Sequence, residues 1–562
     1  MVLPVKKDKS WNIWSAVTAG LIVACIFIAF YKFYMPHDFN NLGGKHAWVS
    51  GSTIKYVNMW LEEGASKLHF TNYEFFSSVE KPSLQEREPY VSYPTGVTFM
   101  VWSAARVLGR NHIDISFLKH FQLAMYALET VLMSLIAYSI LSRKEKAGEP
   151  VKILLSVATA VLWMTIPVNN WFLSNIYWTD LAVFLWILAF LFLECITDTT
   201  VIGGKLNVVP AVLKGLVIFA GVLTEYYFWI VVFCAFVINL LNVAINSKEN
   251  RLKKCITGSL QYVIPVIAGI GIYVWQMSYT RDWLQQLEET FLHRTGAQNN
   301  EAGAEMFIKN FCEAITCGSQ KRALGFIIIE LMVAVIAVVK LFKDKRVKSL
   351  PGNKTAAVVF IMVLTPILQI FAFSNHSAIH QYAMTKIGIN IVGCIILAYI
   401  SRELFSKKAV QIGYCLIVLA GMLLVLGYPG QVRNYYYEKN SEPDYTIDRI
   451  IAANTDYNDV CFSYTYSVSN NPPMDICVSE KAVYLIENTE DMYCMFPGLA
   501  DSADRILVVD KQGLGSNDYI EREKTDEIRQ QEEECALMGE TVYDDEYCSL
   551  IRILNKQDNE EK

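Results

Sequence analysis

The chain has 562 residues, of which 53% are hydrophobic and 19% charged, and its formal net charge is −6. A charged share below the quarter usual for soluble domains points to the membrane class. The acidic balance, with no sustained basic stripe interleaved with aromatics, excludes a general nucleic-acid binder.

The first apolar run, residues 11–34, follows Lys6, Lys7 and Lys9 and lacks a small-residue cleavage site. It reads as a retained span that also acts as the signal. Further runs long enough to cross about 30 Å of hydrocarbon lie at 115–141, 152–170, 177–196, 208–224, 226–246, 256–279, 323–342, 355–374, 384–400 and 410–428, about eleven spans in all. The basic clusters fall at Lys6–Lys9, Arg143–Lys146, Lys248–Lys254, Lys343–Lys348 and Arg402–Lys408. Threading eleven spans from a cytoplasmic N-terminus puts all of these on one side, as the positive-inside rule requires. Glu225 is the only break in 208–246, and if that stretch were one span the later alternation would invert.

The same threading sends residues 35–114, the turns at 169–178 and 225, residues 280–322, the link 375–381 and the chain from about 430 to the external face. The spacing of Ile54, Val57, Trp60 and Leu61 predicts a short helix. A second is predicted between Pro94 and Gly109, where Val97, Met100, Val101, Ala104 and Leu108 recur at three and four residues. At about 20 Å each they are too short to span and are expected to lie in the interface. Ahead of them, Met35-Pro36-His37-Asp38-Phe39 places an acid just after the first span, and Ser92-Tyr93-Pro94-Thr95-Gly96 forms a turn.

This layout resembles the GT-C glycosyltransferases, the class containing protein O-mannosyltransferases and aminoarabinose transferases of lipid A. The resemblance covers most of the chain through short motifs, with two departures: Phe39 stands where the family often has Glu, and Thr95 replaces a second proline. It implies an inverting transfer of a sugar from a polyprenyl-phosphate donor to a protein, lipid or glycan acceptor at the external or lumenal face. The membrane would be the plasma membrane, or that of the endoplasmic reticulum in a eukaryote. It also implies that Asp38 is the catalytic base, with a carboxylate raised towards neutrality by burial.

Other external residues are candidates for substrate or lipid phosphate. Asp180 stands at the outer mouth of the fourth span, where an ionisable residue is a functional candidate unless it only caps the helix. Glu225 sits in an acid-plus-aromatic turn, Thr224 to Trp229. His376 and His380, at i and i+4 before Tyr382, could share a helical face and meet a phosphate or a divalent cation. His37 joins this set, as does a cation from the loop 280–322, Arg281 among Arg281, His293, Arg294, Lys321 and Arg322. No cofactor is certain. Asp38, Asp180 and His376 are the conceivable ligands of a divalent metal.

From about 430 the composition turns polar, and strand-like runs at 460–466, 482–486 and 505–509 with a charged helical stretch at 518–538 predict a small external α/β domain. The expected organisation is therefore a polytopic α-helical membrane domain, residues 1–429, followed by this domain, residues 430–562. A transporter or flippase, or a GT-C-like scaffold without activity, are the rival readings. A transporter would place ionisable residues near the bilayer midplane, often with inverted repeats.

Overall fold

The computed structural model describes residues 12–33, 46–74, 83–84, 87–142, 148–197, 208–246, 251–297, 303–343, 354–401, 407–426, 429–439, 445–456, 458–466, 477–479, 481–496, 499, 503–512 and 523–553. Each apolar run of the sequence coincides with a helix: α1 (Ile13–Phe33), then α4 (Ile115–Ser142), α5 (Glu149–Thr165) with α6 (Pro167–Asn175), α7 (Thr179–Thr197), α8 (Val208–Val222), α9 (Tyr226–Asn246), α10 (Arg251–Met277), α13 (Gln320–Lys343), α14 (Lys354–Ala372), α16 (Ile387–Ser401) and α17 (Lys408–Val425). Among the described residues eight helices are long and apolar enough to cross a membrane, or nine if α5 and α6, bent by 69°, are one span. The chain is a multi-pass membrane protein. The bend falls at Ile166–Pro167, where Ile166 is extended (φ −57°, ψ 127°) because a residue before proline is sterically driven out of the helical region.

The first loop contributes α2 (Ala47–Met59) and α3 (Gly96–Val107). The structure encloses α2 in protein, and even Lys55 is buried and pairs with Glu74 at 3.0 Å. Its companion α3 buries Val97, Val101 and Ala105 but leaves Phe99 exposed, with Val107 and Leu108 beyond it. Between Thr280 and Gln320 lie α11 (Trp283–Thr295) and α12 (Gly303–Thr316), and α15 (Ser374–Ile379) follows α14.

Beyond α17, α18 (Pro429–Lys439) and α19 (Thr446–Asn454) lead into a five-stranded sheet of order β2-β1-β3-β5-β4, formed by β1 (Val460–Ser463), β2 (Val483–Leu485), β3 (Arg505–Asp510), β4 (Gly539–Asp544) and β5 (Cys548–Ile553). The parallel strands β2-β1-β3 match the strand-like runs of the sequence. The antiparallel β4–β5 pair beside them was not among those expectations. All of β1 and nearly all of β3 are buried, as central parallel strands should be, whereas the half-exposed edge strand β4 carries an irregularity between Thr541 and Tyr543. The helix observed within the charged stretch is Asp526–Ala536, capped by the Thr525 hydroxyl. This region docks on the helical body: Tyr436 stacks on Trp171 at 5.8 Å, and Tyr445 packs with Ala47, Ile54 and Val57.

Candidate active site

Asp180 lies in the first turn of α7 and is fully buried. One carboxylate oxygen pairs with the Lys386 ammonium. The other accepts the Tyr93 hydroxyl at 2.7 Å and stands 3.6 Å from His376 Nε2. Tyr93 and His376 also contact each other, at 3.2 Å.

Three separate segments meet here, for local reasons. The polar stretch after α14 does not continue the helix: α15 ends at Ile379, His380 is extended, and Gln381–Lys386 forms a 3-10 turn before α16. That reversal brings His376 and Lys386 to one carboxylate. His376 and His380 therefore do not share a helical face, although their rings remain 4.8 Å apart. Tyr382 lies almost parallel to His380, with 5.3 Å between ring centroids. The Ser92–Gly96 turn brings Tyr93 from the first loop and is anchored by Gly96 N–H donating to Leu223 O at 2.7 Å. A Cβ on Gly96 would stand 2.4 Å from that same oxygen, so the approach requires glycine.

Glu225, in the break between α8 and α9, is buried and accepts the Tyr227 amide at 2.8 Å. Burial raises its carboxyl to about 7, offset in part by the Lys386 charge. Burial pushes the His376 imidazole down to about 4, against the pull of Asp180, so it is neutral at pH 7. His380 is likewise held well below the usual imidazole range by burial and then by His376 and His46.

The loop cation that reaches this cluster is Arg294, at the end of α11. It is buried, and its guanidinium lies 3.9 Å from the centre of the Tyr93 ring. Asn375 fixes this end of α11 by donating to His293 O at 2.8 Å. Among the described residues Arg294 has no carboxylate within ion-pair reach. Arg294 also lines a cavity of about 650 Å³ formed chiefly by apolar groups, including Trp229, Ile230, Leu284, Leu287, Phe291 and Phe373. Arg281 is placed differently: it is 83% exposed and pairs with its neighbour Asp282.

The structure thus gathers Asp180, Glu225, His376, His380 and Tyr382 and leaves Arg281 outside. Asp38 and His37 lie outside the described residues. Lys386 was absent from the sequence candidates, although a lone lysine inside the apolar run 384–400 is itself a signal of a functional or paired charge. Tyr93 was visible only as part of its turn. No three His, Cys, Asp or Glu side chains among the described residues converge as metal ligands. At Asp180 the Lys386 ammonium and the Tyr93 hydroxyl occupy the oxygens that a cation would need.

No protein-family model and no curated protein sequence matches the chain. Solved structures do match in shape. ArnT from Cupriavidus metallidurans bound to undecaprenyl phosphate aligns with a TM-score of 0.53 at 10% identity, over 97% of this chain and 98% of that one. The oligosaccharyltransferase of Archaeoglobus fulgidus in its apo form aligns with a TM-score of 0.51 at 9% identity, over 89% of this chain and 70% of that one. The chain has the GT-C fold.

Proposed function

We propose that the protein is a GT-C membrane glycosyltransferase that moves a sugar from a polyprenyl phosphate to an acceptor hydroxyl on the external or lumenal face. The observation that carries this reading is Arg294, a buried cation with no carboxylate partner among the described residues, in the lining of a largely apolar cavity. A buried guanidinium without a counter-ion is costly, and a lipid-linked phosphate supplies both the charge and the chain that such a cavity fits. The ArnT likeness, solved with undecaprenyl phosphate, supports the same ligand class.

In this mechanism the acceptor oxygen attacks the anomeric carbon while the bond to the phosphate oxygen breaks, inverting that carbon. The proton passes to a carboxylate, for which Asp38 is the candidate from the sequence, and the electron pair leaves with the polyprenyl phosphate. Arg294 neutralises the charge developing there. Tyr93, with its hydroxyl on Asp180 and its ring under Arg294, fixes the guanidinium relative to the Asp180–Lys386–His376 cluster. The reading also takes residues 1–429 as the catalytic membrane domain and 430–562 as an external domain facing the acceptor, with a cytoplasmic N-terminus.

The test is binding of undecaprenyl phosphate to the purified full-length protein. Arg294→Gln should weaken it at least about tenfold, the share of one charged hydrogen-bonded contact. Asp38→Asn should bind like the wild type but transfer no sugar. Equal affinity of Arg294→Gln and wild type would sink the phosphate assignment, and undiminished transfer by Asp38→Asn would remove the base.

A further inference from the structure

We infer that Gln276, which touches neither Asp180 nor Arg294, is a positioning residue that sets where Tyr93 stands by locking two limbs of the first loop, at Phe70–Thr71 and at Thr95, to α10. Its consequence for catalysis rests on the lipid-phosphate reading above.

Gln276 is in the last turn of α10 and is 5% exposed, so its amide must find partners within the protein. Its Nε2 donates to Phe70 O at 3.1 Å. The Thr95 hydroxyl meets both ends of the amide, 3.1 Å from Nε2 and 3.3 Å from Oε1. Its own backbone carbonyl accepts the Thr71 hydroxyl at 3.3 Å. One residue thereby ties the outgoing limb at Phe70–Thr71 to the returning limb at Thr95.

The outgoing limb is strained into this position. A π-helical turn, Trp60–Gly64, is followed by two consecutive non-glycine residues in the left-handed region, His69 (φ 52°) and Phe70 (φ 55°). Each costs about 1 kcal/mol or more, and such conformations persist only where the surroundings over-determine them. Here Phe70 N–H donates to Ala65 O at 2.8 Å, and the His69 ring stacks on Tyr279, just past the end of α10, at 3.7 Å and 7°. The strain aims the Phe70 carbonyl at Gln276.

The returning limb carries the effect to the site. Tyr93 is two residues from Thr95, and Pro94 between them fixes its own φ. Gly96 is held on the other side by Leu223 O. With Thr95 and Gly96 both fixed, the turn has little freedom, and the 2.7 Å hydrogen bond to Asp180 and the 3.9 Å approach to Arg294 follow from it.

The experiment places 3-fluorotyrosine at position 93 of the full-length protein and reads its ¹⁹F resonance without ligand, then measures undecaprenyl phosphate binding. Thr95→Ser keeps the hydroxyl and should leave the resonance in place. Thr95→Val and Gln276→Ala should each displace it, and the double variant no further than Gln276→Ala alone, because the Thr95–Gln276 link that Thr95→Val removes is already gone there. Affinity should fall about two- to tenfold in the displaced variants, the worth of one hydrogen bond. An unmoved resonance in Gln276→Ala overturns the inference, as does a double variant whose displacement is the sum of the singles. If the coupled pattern appears but the wild type binds no undecaprenyl phosphate, the positioning role stands and the lipid reading falls.

Discussion

Replacing Lys386 with methionine removes the ammonium from Asp180 while keeping a side chain of similar length. Both partners are buried, with 2% and 0% of their side chains exposed, so solvent cannot take over the charge left behind. Breaking one side of such a pair costs about 3–5 kcal/mol. The Tyr93 hydrogen bond remains and places the expected loss at the lower half of that range. In reversible unfolding with SDS in mixed micelles, followed by tryptophan fluorescence, Lys386→Met should lower the folded ratio by about a hundredfold or more. The added change Asp180→Asn neutralises the stranded charge while still accepting from Tyr93, so the double variant should recover to within about 1–2 kcal/mol of the wild type. A double variant as unstable as the two single losses added together would refute the claim that these residues form one buried ion pair.

Gly96→Ala should destabilise the protein by about 1–3 kcal/mol, because the new methyl group meets backbone at Leu223 rather than a side chain that can move aside. The same variant should weaken undecaprenyl phosphate binding, and a stable variant with unchanged affinity would contradict the anchoring of the Tyr93 turn. His376 sets a pH dependence. Its folded value near 4 lies below the ordinary 6.5, so the unfolded chain binds the extra proton first. The stability tied to neutral His376 is present above pH 6.5 and is lost as pH falls towards 4, on the order of 3 kcal/mol in full. Unfolding measured across that window should be less steep with pH in His376→Gln than in the wild type, and identical slopes would remove His376 as the source.

The helices were legible in the sequence because a segment surrounded by hydrocarbon must be apolar along its whole length and satisfy its own backbone, a requirement written locally. Each apolar run accordingly coincides with a helix, and Ile166–Pro167 marks its own bend. The parallel strands β1, β2 and β3 were legible for a similar reason, being short runs of β-branched, aromatic and other apolar residues. Asp180, Glu225, His376 and Tyr382 could be singled out because polar groups beside apolar spans are expensive wherever they occur.

Which of them meet, and through what, was decided only by tertiary structure. Tyr93 and Asp180 are 87 positions apart and Asp180 and Lys386 are 206 apart, distances at which no periodicity carries information. The choice between Arg281 and Arg294 shows the same limit. Both are basic residues in the one segment between α10 and α13, but the α11 helix and the Asn375 contact carry Arg294 into the protein, while Arg281 stays exposed beside Asp282. Sequence by itself determined a multi-span helical protein with polar groups placed at the ends of its helices. The fold alone turned those groups into one buried cluster beside an apolar cavity, because long-range packing selects which costly charges neutralise each other.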